Sequence, residues 1–382
     1  MIYLDAAATT PVRREAIEAM WPFLTGAFGN PSSHHSLGEQ AARALGAARD
    51  RVAASLGCRP GEVIFTSGGT EADNLAIKGI ALASPRGRHI VTTAIEHEAV
   101  LASCDFLKRQ HGFSLSFLPV DGQGLVHLED LNAALRPDTT LCSIMLANNE
   151  VGTIQPIAEL AGIARSQGIP FHTDAVQACG SLPLSVKELG IDAMSLSGHK
   201  FGAPKGVGAL FLRGRVALEP VLHGGGQERG RRSGTENVAG AVAFATAMEF
   251  STRELEGRAA QLSLLRDQLV AGVLSVAPNA FLTGHPGQRL PNNASFCFPG
   301  TSGESVLLQL EERGVLCSSG SACAAGSDEP SHVLIAMGIA RTLAQTAVRF
   351  TLLGDTTSAQ VDEVVQKLEQ ALHSLQAMSA RS

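Results

Sequence analysis

From Ser36 to Leu212 the chain alternates helical periodicity with short β-rich runs, and that alternation confines it to few architectures. Ser36 to Leu56 reads as a helix with an alanine-rich face, and Glu71 to Ala83 and Pro156 to Gln167 as further helices. Strand-like runs cover Val63–Thr66, Ile90–Thr93, Leu115–Leu118, Leu141–Met145, Phe171–Asp174, Ala193–Ser197 and Gly208–Leu212. Strands separated by helices predict an α/β unit built on a mainly parallel, seven-stranded sheet. After Thr235 a long helical region runs to about Val276, with an alanine-rich stretch, Val238 to Met248, patterned for burial. Two more strand-like runs, Ala294–Phe298 and Val348–Leu352, and a closing helix from Ser358 predict a smaller α+β unit. The expected division is a large domain over 14–255 and a small one made of 1–13 and 256–382.

A length of 382 residues suits two such units, and 45% hydrophobic residues can fill their cores. With 17% charged residues and a net charge of −6, disorder and nucleic-acid binding are both disfavoured. The opening MIYLDAAATT has neither a basic segment nor a long apolar run, and no run is long enough to span a bilayer. No membrane partner is therefore expected. Seven cysteines, an odd number with no secretory leader, fit reduced thiols in a cytoplasmic protein. None forms a Cys-x-x-Cys pair, so no metal is expected.

In open α/β sheets ligands sit beyond the carboxyl ends of the strands. There this chain carries Ser67-Gly68-Gly69-Thr70 at a helix start, Glu96-His97-Glu98, Asn148-Asn149-Glu150, Asp174 with Gln177 three residues on, and Ser197-Gly198-His199-Lys200. A lysine after a strand is ordinarily a solvated residue. At the end of a buried strand, desolvation can hold its amine neutral and ready to form an imine with a carbonyl, the way pyridoxal phosphate (PLP) is usually held. The other strand ends supply matching parts. A buried Asp174 favours a protonated pyridine nitrogen, and His97 can stack on a ring and move protons. Thr70, Ser197, His199 and the glycine-rich helix start at Gly69 can hold a phosphate.

These segments resemble those of the NifS/IscS-type cysteine desulfurases, in the class V branch of fold-type I PLP-dependent enzymes. The resemblance runs from YLDAAATTP (Tyr3–Pro11) to RFT (Arg349–Thr351). Between them lie GNPSSHH (Gly29–His35), TSGGTEADNLAIKG (Thr66–Gly79), EHEAVL (Glu96–Leu101), NNEVGTIQP (Asn148–Pro156), HTDAVQ (His172–Gln177), SGHK (Ser197–Lys200), GGGQERGRRSGTENV (Gly224–Val238) and SSGSACAAGSDEPSHVL (Ser318–Leu334). It implies that Lys200 carries PLP, that Asp174 pairs with the ring nitrogen and Gln177 with the ring hydroxyl, and that His97 stacks on the ring. Gly69, Thr70, Ser197 and His199 are implied to bind the phosphate, and Thr235 to reach the phosphate of a neighbouring subunit. A homodimer with shared active sites follows. Asn149 and Arg349 match the residues expected to hold the substrate carboxylate, the arginine by bidentate pairing.

Cys323 lies in a stretch crowded with glycine and serine, which predicts a mobile loop and an exposed thiol. By the resemblance it takes sulfur from L-cysteine as a persulfide, L-alanine leaves, and the sulfur passes to an iron–sulfur scaffold or another acceptor protein. Lys200 is implied to move the Cα proton, and His97 is a candidate acid/base for the thiol. A class V aminotransferase would share Lys200, Asp174 and the sheet but has no need of a thiol at 323. A selenocysteine lyase would share Lys200, Asp174 and the sheet, and selenium departs by similar chemistry. A non-catalytic scaffold-binding platform would need none of Lys200, His97 and Cys323. Two departures stand out. Cys317 stands where a small apolar residue is expected, and reads as a strand-end hydrophobe or as an internal persulfide acceptor or redox partner. Leu353-Gly354-Asp355 stands where the family usually places a Gly-Arg pair before two threonines.

Overall fold

The computed structural model describes residues 1–83, 86–319 and 329–379. Its strands are β1 (Ile2–Tyr3), β2 (Val63–Thr66), β3 (His89–Thr93), β4 (Ser114–Leu118), β5 (Thr139–Ser143), β6 (Phe171–Asp174), β7 (Ala193–Ser197), β8 (Gly208–Leu212), β9 (Phe281–Leu282), β10 (Asn293–Cys297), β11 (Val315–Leu316) and β12 (Ala347–Thr351). Strands β2 to β8 form one seven-stranded sheet in the order β2-β8-β7-β6-β5-β3-β4. Within it β8 runs antiparallel to both its neighbours, β2 and β7, while the pairs from β7 outward to β4 are parallel.

Every residue of β5, β6, β7 and β8 is buried, because helices cover both faces of the sheet. At the edge, β4 is half exposed and Phe117 points to solvent. One face packs a cluster around Val52, Leu56, Ile144, Phe171 and Phe244, and the other a cluster around Ile77, Ile90, Leu107 and Leu210. Burying each such side chain stabilises the fold by about 1.5–3 kcal/mol.

The helix Ser36–Leu56 falls where its periodicity puts it and ends at Gly57, whose φ of 69° lies in the left-handed region. The alanine-rich stretch is indeed a buried helix, Val238–Arg253, and the long helical region breaks at Glu254 into a second one, Leu255–Val276. Two helices lack strong sequence signals. Arg14–Thr25 contains Pro22 and has no side-chain cap, and Glu98–His111 is capped by a histidine, His97. Strand β5 ends at Ser143, short of the expected Met145, although the N–H groups of Ile144 and Leu146 still donate to the β6 carbonyls of His172 (3.1 Å) and Asp174 (2.8 Å).

A second body of structure combines the antiparallel sheet β12-β10-β9 with the parallel pair β1–β11 and the helices Leu255–Val276, Gly303–Glu312 and Ser358–Ser379. Its core gathers Leu4, Leu269, Phe296, Leu310, Phe350 and Leu368. Pairing of Ile2 with Val315 and Tyr3 with Leu316 ties the first residues of the chain to this body. A further cluster of Ile95, Met145, Val151, Val333 and Leu334 joins it to the carboxyl end of the large sheet.

Candidate active site

Beyond the carboxyl ends of β2, β3, β5, β6 and β7 lies a cavity of about 800 Å³. It is lined by Gly69, Thr70, His97, Asn149, Asp174, Gln177, Ser197, His199, Lys200 and Arg349, residues that the sequence distributes over nearly the whole chain. Thr235 is exposed and lies outside the lining of this cavity. Cys323 lies outside the described residues.

Lys200 closes the short 3-10 turn that follows β7, and its Nζ donates to the carbonyls of Ala7 (2.6 Å) and Ala8 (2.8 Å). The same N-terminal segment accepts a hydrogen bond from Gln177 Nε2 at Ala7 O (3.0 Å), and Thr10 donates its N–H to His199 O (2.9 Å). The AAATT stretch thus forms one wall of the site, a role its small side chains did not announce.

Asp174 is buried, and its Oδ1 accepts from Val176 N–H at 2.8 Å. Burial raises its pKa, while the charges of His97 and Lys200 pull it down. Beneath it lie two more buried carboxyls. Glu96 Oε1 accepts from Thr93 Oγ1 (2.7 Å) and Met145 N–H (2.9 Å), and burial pushes its pKa up to about 8. Asp73 is raised well above its ordinary range by burial and by Asp174. Asp73 Oδ1 and Glu96 Oε2 are buried without a hydrogen-bond partner. His172, between Ser143 Oγ (2.8 Å) and Ser195 Oγ (2.9 Å), is held neutral, its pKa lowered by burial to about 3. A protonated ring nitrogen held by Asp174 would add a positive charge to this acid-rich floor.

At the other end of the cavity, Gly69 opens the helix Gly69–Ala83. A Cβ there would stand 2.8 Å from Val176 Cγ2 and 3.3 Å from Ser197 Cβ, so only glycine permits this approach. The first amides of a helix are unpaired within it and point at whatever lies before it. With Thr70, Ser197 and His199 alongside, they make a set of donors that fits a phosphate. Burial, then Lys200 and Lys205, lower the His199 pKa to about 4 and leave it a neutral donor. Carboxylate, amine and phosphate cradle together fit PLP.

Arg349 lines the cavity from β12. Its Nη2 pairs with Asp5 Oδ1 (2.8 Å), its Nη1 donates to Asn149 O (3.1 Å), and its Nε is buried without a partner. Each Nη carries a second hydrogen, so a carboxylate can still be held by the fork. His97 caps its helix, accepting Ala99 N–H at Nδ1 (3.1 Å). The sequence reading named Glu96 and Glu150 at strand ends without a role and did not single out Asp73 or His332, yet all four line the cavity. All four stand inside quoted segments, but nothing local says which of their neighbours bury them.

The departures also have places. Cys317 follows β11 and packs against the core around Phe296 and Leu310. Burial and the nearby Asp5 push its thiol far up, so it stays protonated. A Cβ on Gly354 would lie 3.2 Å from Arg258 Cδ, so an arginine from another helix fills the space beside that position. Arg258 donates there to the carbonyls of Gly180 and Ser251.

A lysine at the end of a central strand, an aspartate on the next strand and a phosphate cradle at a helix start define a PLP-dependent enzyme of fold-type I. The aminotransferase class-V family profile matches residues 2–364. A cysteine desulfurase IscS of Methanosarcina thermophila is 50% identical over 99% of this chain and 93% of its own length. One of Dictyoglomus turgidum is 48% identical over 99% of this chain and 96% of its own. A solved NifS-like protein superposes with a TM-score of 0.92 at 40% identity, covering 98% of this chain and all of the other. The chain belongs to the aminotransferase class-V family, and within it to the cysteine desulfurases of the NifS/IscS type.

Proposed function

We propose that this chain removes sulfur from L-cysteine, releases L-alanine and carries the sulfur as a persulfide on Cys323. The observation that carries this reading is the meeting of Lys200 Nζ, the Asp174 carboxyl and the Arg349 guanidinium in one cavity. Bound PLP supplies an electron sink for the pair released at the substrate's Cα. The chain's own residues do the rest. Lys200 would hold the cofactor, and its free amine would move the Cα proton. Asp174 holds the proton at the ring nitrogen, and Gln177 orients the ring hydroxyl. The start of the helix at Gly69, with Thr70, Ser197 and His199, fixes the phosphate, and His97 covers the ring. Arg349 and Asn149 orient the substrate by its carboxylate. Cys323 supplies the thiolate that takes the sulfur, because only sulfur can keep the transferred atom as a persulfide.

The active unit in this reading is a homodimer. Thr235 does not reach its own chain's cavity, which suits delivery to a partner's phosphate. The helix Arg14–Thr25 and the turn after it expose Ile17, Trp21, Leu24 and Phe28, an apolar stripe that suits a second copy. The two bodies of structure, each with its own core, support domains at 14–255 and at 1–13 with 256–382. The sulfur acceptor in this reading is an iron–sulfur scaffold or another acceptor protein in the cytoplasm. Among the described residues no helix is long and apolar enough to cross a membrane.

The test is to incubate the PLP-loaded protein with L-cysteine and a thiol reductant. Alanine and sulfide should appear in equal amounts. Cys323→Ala should keep the absorbance of lysine-bound PLP and release no sulfide, and Lys200→Ala should lose both. Undiminished sulfide from the Cys323 variant would remove that thiol from the reaction.

A further inference from the structure

Arg349 reaches the cavity from a backbone that is held on both sides. Ser295 stands opposite it on β10. On the other side its N–H donates to Ser318 O (2.6 Å) and its O accepts from Ser318 N–H (3.2 Å). The aim of the guanidinium is therefore set at its tip, where Nη1 meets Asn149 O (3.1 Å) and Nη2 meets Asp5 Oδ1 (2.8 Å). The Arg349 side chain is 3% exposed, so water does little to screen its charge.

Asp5 is placed as firmly. It bridges Thr351 in parallel register, two residues beyond Arg349. Its carbonyl accepts from Tyr3 Oη (2.9 Å) and Ala8 N–H (3.0 Å), and Thr351 Oγ1 accepts from Ala7 N–H (2.9 Å). The neighbouring carbonyls of Ala7 and Ala8 take Lys200 Nζ, so one short stretch of chain faces both the amine and the guanidinium. Glu150 also feels the charge of Arg349, but it is buried, accepts from Ser331 Oγ and has its pKa raised by burial. Asp5 is the carboxylate in direct contact with the guanidinium.

The carboxylate of an amino acid thus arrives at a guanidinium that already carries one anion. Two anions on one cation repel, and each weakens the other's hold. An unshared buried guanidinium would bind an amino acid more tightly, but it would grip L-cysteine and L-alanine alike, because both keep the same carboxylate. Uniform binding of that kind lowers KM without raising kcat, and it slows the departure of product. We propose that Asp5 is a positioning residue that aims Arg349 and shares its charge, so that the cavity lets go of L-alanine. The inference rests on the desulfurase reading, in which Arg349 holds the substrate carboxylate.

Asp5→Asn tests it, because the amide keeps an acceptor oxygen for Nη2 and removes the charge. In calorimetry on the PLP-loaded protein, the variant should bind L-alanine about tenfold more tightly than wild type. Its affinity for cysteamine, which has the amine and thiol of cysteine but no carboxylate, should stay the same. KM for L-cysteine should fall with no rise in kcat. Asp5→Glu, which keeps the charge, should bind L-alanine as wild type does. Unchanged or weaker alanine binding in Asp5→Asn, tighter binding of cysteamine as well, or equal tightening in Asp5→Glu would each overturn the proposal. A measurement on wild type alone stands beside these. L-alaninamide, whose carboxylate is blocked, should bind less than about tenfold more weakly than L-alanine, and a gap of about a hundredfold or more, the mark of an unshared guanidinium, would overturn it even if Asp5→Asn proved poorly folded. Wild-type protein that binds L-alanine but makes none from L-cysteine would instead sink the desulfurase reading.

Discussion

Glu96 shows how a residue that local pattern makes ordinary becomes unusual through burial. Its pKa of about 8 stands against an ordinary value of 4.5. Between those values the unfolded chain has lost this proton and the folded chain has kept it, so stability falls as pH rises through that window. The cost saturates above pH 8 at a few kcal/mol, roughly 1.4 kcal/mol for each unit of separation. Glu96→Gln keeps the shape without the charge. In urea titrations of the cofactor-free protein, the variant should gain on wild type at pH 8 relative to pH 5; an equal difference at both values would place the carboxylate's cost elsewhere. His172 behaves oppositely. With its pKa lowered to about 3, it contributes stability above its ordinary 6.5 that is lost as pH falls below that value.

At the scale of elements, the turn from β2 into the helix Gly69–Ala83 decides how closely a phosphate can approach. Gly69→Ala puts a methyl group 2.8 Å from Val176 Cγ2, so the helix start must shift. PLP affinity should fall by about tenfold, worth ~1.4 kcal/mol, with the fold intact. Equilibrium dialysis checks it, and unchanged affinity would move the phosphate elsewhere. A second element carries Thr235. Its loop contains Glu228 and Arg229, both in the left-handed region with φ of 48° and 61°. It is anchored by Glu228, whose carboxylate accepts from both Nη atoms of the buried Arg49 (2.6 and 2.7 Å) and from Phe65 N–H (3.2 Å). Glu228→Ala strands a buried guanidinium and should cost about 3–5 kcal/mol in chemical denaturation. A loss below about 1 kcal/mol, the range of exposed pairs, would mean that water reaches the arginine. These loop conformations are not legible from sequence, since two non-glycine residues take up backbone angles that glycine favours.

The whole molecule brings the prediction that needs a second copy. Trp21→Glu with Phe28→Asp places two charges in the exposed apolar stripe. By sedimentation, the wild type should run as a dimer and the double variant as a monomer with reduced PLP content. A wild-type monomer that binds PLP fully would overturn the shared-site reading.

The strand ends bearing Thr70, His97, Asp174, Ser197 and Lys200 were legible because each depends on a few adjacent residues. A run of branched and aromatic side chains makes the strand, a glycine or polar residue ends it, and the functional group follows within a handful of positions. The sequence by itself determined those strands, their alternation with helices and the chemistry at their ends. Only the tertiary structure decided what faces them. The carbonyls of Ala7 and Ala8 reach Lys200 across 193 and 192 residues, Asp5 reaches Arg349 across 344, and His332 reaches Glu96 across 236. Such contacts follow from how β1 pairs with β11 and how the second body closes on the sheet. Burial, which sets the charge of Glu96 and His172, is likewise a property of packed surroundings that no stretch of neighbouring residues contains.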